Sequence, residues 1–296
     1  MRRWSFTKGH GTENDFVLIL DRESMLEIGP AEVRYICNRR AGVGADGLLR
    51  AVLGKHVDGW EGDGALWFMD YRNADGSIAE MCGNGIRVFV RYLLDQDLVS
   101  GPVVEIATRD GLKVATVLPD GRIRVTMGDA LVRSRSVVVI TADGVEFKAL
   151  PVDVGNPHAV SFVDDLDLLQ LHVAPRWDPA EEFPDGVNLE FVRRLGPQHI
   201  AMRVFERGVG ETNCCGTGTV AAAVGARFHD QDLTPLPVTY WVDTPGGRVE
   251  VELTEQQAYL TGPAVLVAHG ELALPERTFF ETENLFAVAS GASQPG

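Results

Sequence analysis

Two stretches of this chain are built to one design, and they constrain its fold more than any other feature. In NADGSIAEMCGNGIRVFVRYL, Asn73 to Leu93, a turn-rich run delivers Cys82 to the start of an apolar helical pattern. In ERGVGETNCCGTGTVAAAVGARF, Glu206 to Phe228, Cys215 likewise precedes Gly-x-Gly and a long run of small apolar residues. Each thiol therefore stands at a predicted helix N-terminus. Unpaired backbone N–H groups and the positive end of the helix dipole stabilise an anion there, either the thiolate or a substrate carboxylate held beside it. The flanking glycines let a small ligand approach the backbone.

The parts around these stretches repeat in the same order. SFTKGHGTENDFVLIL reads as strand, polar turn at Asn14, strand, and VEFKALPVDVGNPHAVSFV repeats that design around Asn156. Between them PAEVRYICNRRAG has helical spacing, with Cys37 on its core face. GVGADG, Gly42 to Gly47, matches the dinucleotide fingerprint literally, but a helical pattern precedes it and the strand-like LLRAVL follows. A turn, or a backbone wall of a pocket, is the better reading. ALWFMDYR is β-prone and leads into the first cysteine stretch. Its helix, from about Gly85, carries Arg87, Arg91 and Asp95 as one charged stripe on an otherwise apolar cylinder. Segments from Val103 to Val138 alternate and break at Asp-Gly turns, which predicts a hairpin meander closing the first half. Residue identity between the halves is low, so the duplication is one of structure.

Composition narrows the class. The 296 residues carry a formal net charge of −15, which argues against a nucleic-acid or anionic-membrane partner. The N-terminal MRRWSFTKGHG has no apolar segment long enough for a signal peptide or a membrane span, and four cysteines without CxxC are too few for a disulfide framework. Both point to a cytoplasmic chain with reduced thiols. The seven histidines are scattered without metal-ligand spacing, so no metal is expected.

A duplication with one thiol per half predicts a cleft with Cys82 and Cys215 facing each other across it. That geometry suits an amino-acid racemase or epimerase, which needs a base on one face of the α-carbon and an acid on the other. The two thiols would titrate as a coupled pair. Backbone N–H groups of Gly83, Asn84, Gly216 and Thr217 would hold the carboxylate as it gains enolate character. A redox switch that forms a disulfide is the rival from another class.

NADGSIAEMCGNGIR, GNPHAV, FPDGVNLEF, ERGVGETNCCGTG and the opening KGHGTENDF, in this order over nearly the whole chain, resemble the diaminopimelate epimerase family. The resemblance implies a cofactor-independent epimerase that converts LL-2,6-diaminopimelate to the meso form with two cysteines and no pyridoxal phosphate. That step feeds lysine synthesis and cell-wall peptide precursors. It implies an α/β (α+β) fold of two pseudo-symmetric domains, each a mostly antiparallel sheet wrapped around a central helix, with the active site in the cleft between them. Residues 1–130 plus about 262–274 would form the first domain and 131–261 the second, leaving a mobile tail at 275–296. By motif, Cys82 and Cys215 are the acid/base thiols, and Gly83, Asn84, Gly216 and Thr217 bind the reacting carboxylate. Asn14, Asn73, Asn156, Asn188, Glu206 and Arg207 fix the distal amino-acid end, while His158 supports a cysteine or the pocket wall. A homodimer is compatible with the sequence, which does not establish it.

The chain departs from the family pattern at Gly47, where glutamine is common, at Glu13 in GTEND, where others read GLGND, and at Cys214, where a small residue is common. Proline racemases share MCG and CGTG but typically carry His where this chain has Asn84. Phenazine-biosynthesis-type isomerases share the fold without the cysteine pair.

Overall fold

The computed structural model describes residues 1–133 and 135–276; the expected mobile tail lies outside the described residues except for Pro275 and Glu276. In the first half, β1 (Arg2–Gly11) and β2 (Asn14–Leu20) form a hairpin and α1 (Pro30–Cys37) crosses to β3 (Gly47–Leu53). Next, β4 (Trp67–Asn73) runs back along β3, and α2 (Gly83–Asp95) crosses to the meander of β5 (Val103–Thr108), β6 (Gly111–Val117) and β7 (Ile123–Gly128). The second half opens with β8 (Leu131–Val132) and β9 (Val137–Ile140), then the hairpin of β10 (Glu146–Asp153) and β11 (Pro157–Phe162). It continues with β12 (Arg176–Asp178), β13 (Asn188–Gly196), β14 (His199–Glu206) and β15 (Gly210–Thr212). After α3 (Gly216–His229) come β16 (Val238–Thr244), β17 (Gly247–Leu253), β18 (Ala258–Gly262) and β19 (Val265–Leu274).

Strand pairing makes the duplication visible. The hairpin β1–β2 continues through β3, β4, β5, β6 and β7, and the hairpin β10–β11 continues in the same sense through β13, β14, β16, β17 and β18. Pairing is mostly antiparallel, but β2–β3, β4–β5, β11–β13 and β14–β16 are parallel. A parallel neighbour needs a long crossover, which α1, α2, the 163–187 segment and α3 respectively supply. The two halves join where β7 pairs with β18, and β19 returns from the end of the second half to lie antiparallel to β1.

Each sheet wraps around its own cysteine-capped helix. Ile86, Phe89, Val90 and Leu93 of α2 pack against Phe16, Leu18, Leu49 and Met69, all fully buried. At roughly 1.5–3 kcal/mol per large side chain, this burial holds α2 far more firmly than its helix propensity could. In α3 the packing residues are smaller: Val220, Ala221, Ala222 and Ala223. A Cβ on Gly225 would stand 3.0 Å from a Val160 methyl, so α3 lies closer to its sheet than a larger side chain would permit. Along the charged stripe expected on α2, Arg87 is fully buried, Arg91 half-buried on the Gly121 carbonyl, and Asp95 exposed. The helix enters the core N-terminus first, so its charged face grades from interior to solvent.

Candidate active site

Both central helices begin at the junction of the halves, and each is capped by its cysteine. Gly85 N–H donates to Cys82 Sγ at 3.4 Å, and Gly218 N–H donates to Cys215 Sγ at the same distance. The helix starts abut so closely that a Cβ on Gly216 would lie 3.2 Å from both Gly83 Cα and Asn84 N. Only glycines permit this approach, and it aims two sets of free N–H groups at one small volume.

That volume is a cavity of about 160 Å³ lined by Cys82 and Cys215 together with Asn14, Asn73, Gly83, Asn156, Asn188, Glu206, Arg207, Gly216 and Thr217. Residues from both halves thus meet at one place. Two other candidate residues stand behind the wall. Asn84 is fully buried and donates to Asn14 Oδ1 (3.3 Å) and to the Cys214 carbonyl (3.0 Å), bracing one helix start against the other. His158, also fully buried, has Nδ1 2.7 Å from Glu190 Oε1 and Nε2 2.9 Å from Asn156 Oδ1, so it supports the wall through Asn156. A larger open groove of about 780 Å³ runs beside β1 and β19, but neither cysteine of the pair lines it.

The polar residues are held by neighbours that leave one face toward the cavity. Asn14 Nδ2 donates to Asp46 Oδ2 at 2.8 Å, and its Oδ1 lies 3.5 Å from Cys82 Sγ. Asn188 donates to the Pro157 carbonyl and accepts from Arg207 N–H, both near 3.0 Å. Glu206 accepts from Thr212 Oγ1, and Thr217 Oγ1 stands 3.5 Å from Cys215 Sγ. Among the described residues no carboxylate pairs with the Arg207 guanidinium, which remains free to take one from a ligand.

Burial dominates the electrostatics. It pushes the Cys82 thiol up to about 12, against the backbone donors of Gly85 and Asn84 and the charge of Arg87, while the Glu206 carboxylate adds to the rise. It pushes Cys215 well up too, with Glu206 and Glu190 adding to the rise. The carboxyls of Glu206 and Asp46 are raised by burial as well. Asp15, beneath the wall, is the opposite case: burial would raise it, but Arg39 (2.7 Å) and Lys8 (2.6 Å) hold it well below the usual carboxylate range.

Several wall residues escaped the sequence reading. Asp46 lies in GVGADG, read only as a turn or a backbone wall, and its side chain fixes Asn14. Tyr71, Met81 and Thr212 also line the cavity. Tyr71 explains Gly47, because a Cβ there would be 2.7 Å from the Tyr71 ring and from the Arg72 carbonyl. The tyrosine ring occupies the space where a side chain at position 47 would stand.

Solved structures share the architecture. A phenazine biosynthesis protein of the PhzF family from Bacillus anthracis superposes with a TM-score of 0.71 at 16% identity, over 93% of this chain and 100% of that one. A hydroxyproline epimerase from Agrobacterium vitis superposes at 0.65 with 14% identity, over 94% and 95%. Both show the fold alone. In sequence, a diaminopimelate epimerase of Streptomyces coelicolor is 49% identical over 277 residues, 91% of this chain and 95% of that protein. One from Corynebacterium glutamicum (strain R) is 46% identical over 91% and 98%, and one from Thermobifida fusca 44% over the same shares. The family model described as Diaminopimelate epimerase matches residues 6–132 and 150–267, and on these matches the chain belongs to the diaminopimelate epimerase family.

Proposed function

We propose that the protein interconverts LL- and meso-2,6-diaminopimelate by moving the α-proton between Cys82 and Cys215, with no cofactor. One observation carries the mechanism: two helix-capping thiols, one from each half, open into a single cavity. With one thiolate and one thiol, the thiolate removes the α-proton from one face while the thiol delivers its own to the other. The reverse reaction exchanges their roles. A positioned base and acid supply about 10²–10⁴-fold each. The N–H groups of Gly83, Asn84, Gly216 and Thr217 supply electrostatic stabilisation where the carboxylate gains enolate charge.

The distal end fits the same ligand. Arg207 takes the far carboxylate, Glu206 the far ammonium, and the amides of Asn14, Asn73, Asn156 and Asn188 complete the clamp. An inverted distal centre would leave these groups unpaired, which gives the site its demand for the L configuration there. A cyclic imino acid has no second amino-acid end to engage Glu206 and Arg207, which favours diaminopimelate over proline. We divide the chain into a first domain of 1–130 plus 262–274 and a second of 131–261, since β19 pairs with β1. A homodimer and a cytoplasmic location belong to the same proposal; among the described residues no helix is long and apolar enough to cross a membrane.

The test is proton NMR in D₂O under reductant, offering LL-diaminopimelate and, separately, L-proline. Deuterium at the α-position of new meso-diaminopimelate, with no added cofactor, is the expected result. Inversion of proline alone would transfer the chain to another activity on the same fold.

A further inference from the structure

We propose that the Tyr71 hydroxyl hydrogen-bonds the amino acid held in the cavity, from the space that a side chain at position 47 would take; this rests on the diaminopimelate reading above. Tyr71 lies on β4 opposite Leu49 of β3, with its side chain on the sheet face that packs around α2. Its ring meets Phe16 edge to face, with centroids 5.9 Å apart and planes at 79°. From that anchor the ring leans over Gly47: a Cβ there would stand 2.7 Å from Cε2, the carbon next to the one that bears the hydroxyl. Gly47 pairs with Asn73 and follows Asp46, and both of those residues line the cavity. The hydroxyl end of the ring is thus brought to the cavity wall beside them.

Hydrogen bonding in that wall is nearly complete without a ligand. The asparagines, carboxylates and threonines that line it make side-chain hydrogen bonds within the protein, and both thiols accept a backbone N–H. Two polar groups differ. Among the described residues neither the Arg207 guanidinium nor the Tyr71 hydroxyl has a hydrogen-bond partner. Nor is the hydroxyl oxygen sealed in the core; it is open to the space that Tyr71 lines.

A tyrosine hydroxyl drawn out of bulk water usually finds a partner, and a phenylalanine would fill the same space without needing one. The partner that completes this hydroxyl is the ligand. Burial pushes the phenol well above its usual value, and the charges of Cys82, Glu206, Asp46 and Cys215 add to the rise, so it stays neutral. A neutral hydroxyl can accept from an ammonium or donate to a carboxylate, and an amino acid presents both groups. With its ring held between Phe16 and Gly47, the hydroxyl is positioned before the ligand arrives, and little side-chain freedom is lost on binding.

The test compares Tyr71→Phe with the unsubstituted protein, both full-length and reduced. Calorimetric titration with an equilibrium mixture of LL- and meso-diaminopimelate should show the dissociation constant raised about 10–100-fold, the range for one hydrogen bond to a charged group. KM should rise by a similar factor with a smaller change in kcat, since the contact is made in the ground state and the transition state alike. The urea midpoint should not move, because phenylalanine keeps the ring and the lost hydroxyl had no partner in the protein. Affinity within about twofold of the unsubstituted protein overturns the proposal, as does a fall in kcat at unchanged KM. A lowered urea midpoint overturns it too, by showing that the hydroxyl serves the fold. Failure of the unsubstituted protein to bind diaminopimelate would overturn the diaminopimelate reading and this inference together, whereas equal binding by both proteins overturns this inference alone.

Discussion

The two halves present their thiols on the same backbone and surround them with different chemistry. Strand register matches Phe16 with Gly47 in one half and His158 with Asn188 in the other, so Phe16 corresponds to His158 and Leu49 to Glu190. Behind Cys82 lie an aromatic ring and a leucine. Behind Cys215 lies a buried histidine–carboxylate pair. Repetition supplies the facing geometry that a proton transfer across a carbon needs; divergence makes the faces chemically unequal. The largest expected effect comes from deleting the shared element. Cys82→Ala and Cys215→Ala should each lower epimerisation by at least ~10³-fold with circular dichroism unchanged, while Cys214→Ala, whose sulfur faces Asn84 rather than the cavity, changes it little. Substantial activity in either of the first two would end the symmetric two-thiol mechanism.

The halves are also unequal in what they offer the rest of the ligand. Asn73 and Ala74 occupy the positions that Glu206 and Arg207 occupy in the second half, since in each half the cysteine follows by the same step. One half alone therefore carries the charged side chains of the proposed clamp. Arg207→Gln should raise KM for diaminopimelate by about 10–100-fold with a smaller change in kcat, as expected for one charge-assisted contact worth roughly 1.5–3 kcal/mol. A fall in kcat at unchanged KM would place Arg207 in the reacting end instead.

The histidine–carboxylate pair can be converted to the other half's design. Glu190 has one oxygen on His158 and the other buried without a partner, and burial raises its carboxyl. His158→Phe alone leaves an unpaired buried carboxyl and should cost about 3–5 kcal/mol in urea unfolding; the double change with Glu190→Leu should recover most of that. The sign with pH follows from the raised pKa. A carboxyl whose folded value exceeds its unfolded one stabilises fully below the unfolded value, near 4.5, and less as pH rises through the folded value, so the deficit of His158→Phe should shrink toward pH 4. A pH-independent deficit would mean that shape rather than charge is lost. Since Asn156 is oriented by His158, the double variant should retain its fold yet lose activity.

How much of this was legible depended on whether the signal was local. Helix starts at Cys82 and Cys215, the hairpins at Asn14 and Asn156 and the strand after GVGADG could be read because caps, turns and alternation act within a few residues. Parallel pairings and the β7–β18 junction could not, because they depend on which distant strand completes a sheet. The burial of Arg87 could not be read from the stripe it shares with Arg91 and Asp95, since spacing reports that residues share a face, not whether that face meets solvent. Asp46 and Glu190 were missed for a related reason: the contacts that matter, Asp46 with Asn14 and Glu190 with His158, each join residues 32 apart in sequence.

The smallest expected effect concerns the two hairpin turns. The second half turns through Gly155 at φ 82°, whereas the first turns through Thr12 and Glu13 at φ 51° and 61°, a region costing side-chain-bearing residues roughly 1–2 kcal/mol each. Each of these residues has a compensating contact: Thr12 Oγ1 accepts from Arg87, and Glu13 accepts from Asn213 Nδ2 at 2.9 Å across the halves. Glu13→Gly relieves the backbone but loses an exposed contact worth about 0–1 kcal/mol and loosens the unfolded chain by about 0.4–1 kcal/mol. The net change in unfolding free energy should stay within about 1 kcal/mol, with activity preserved because Asp46 still holds Asn14. Asn213→Ala separates the terms: it should destabilise the unsubstituted protein slightly and have no effect beside Glu13→Gly. Equal effects in both backgrounds would show that Glu13 is held in its conformation by the turn itself and not by the other half.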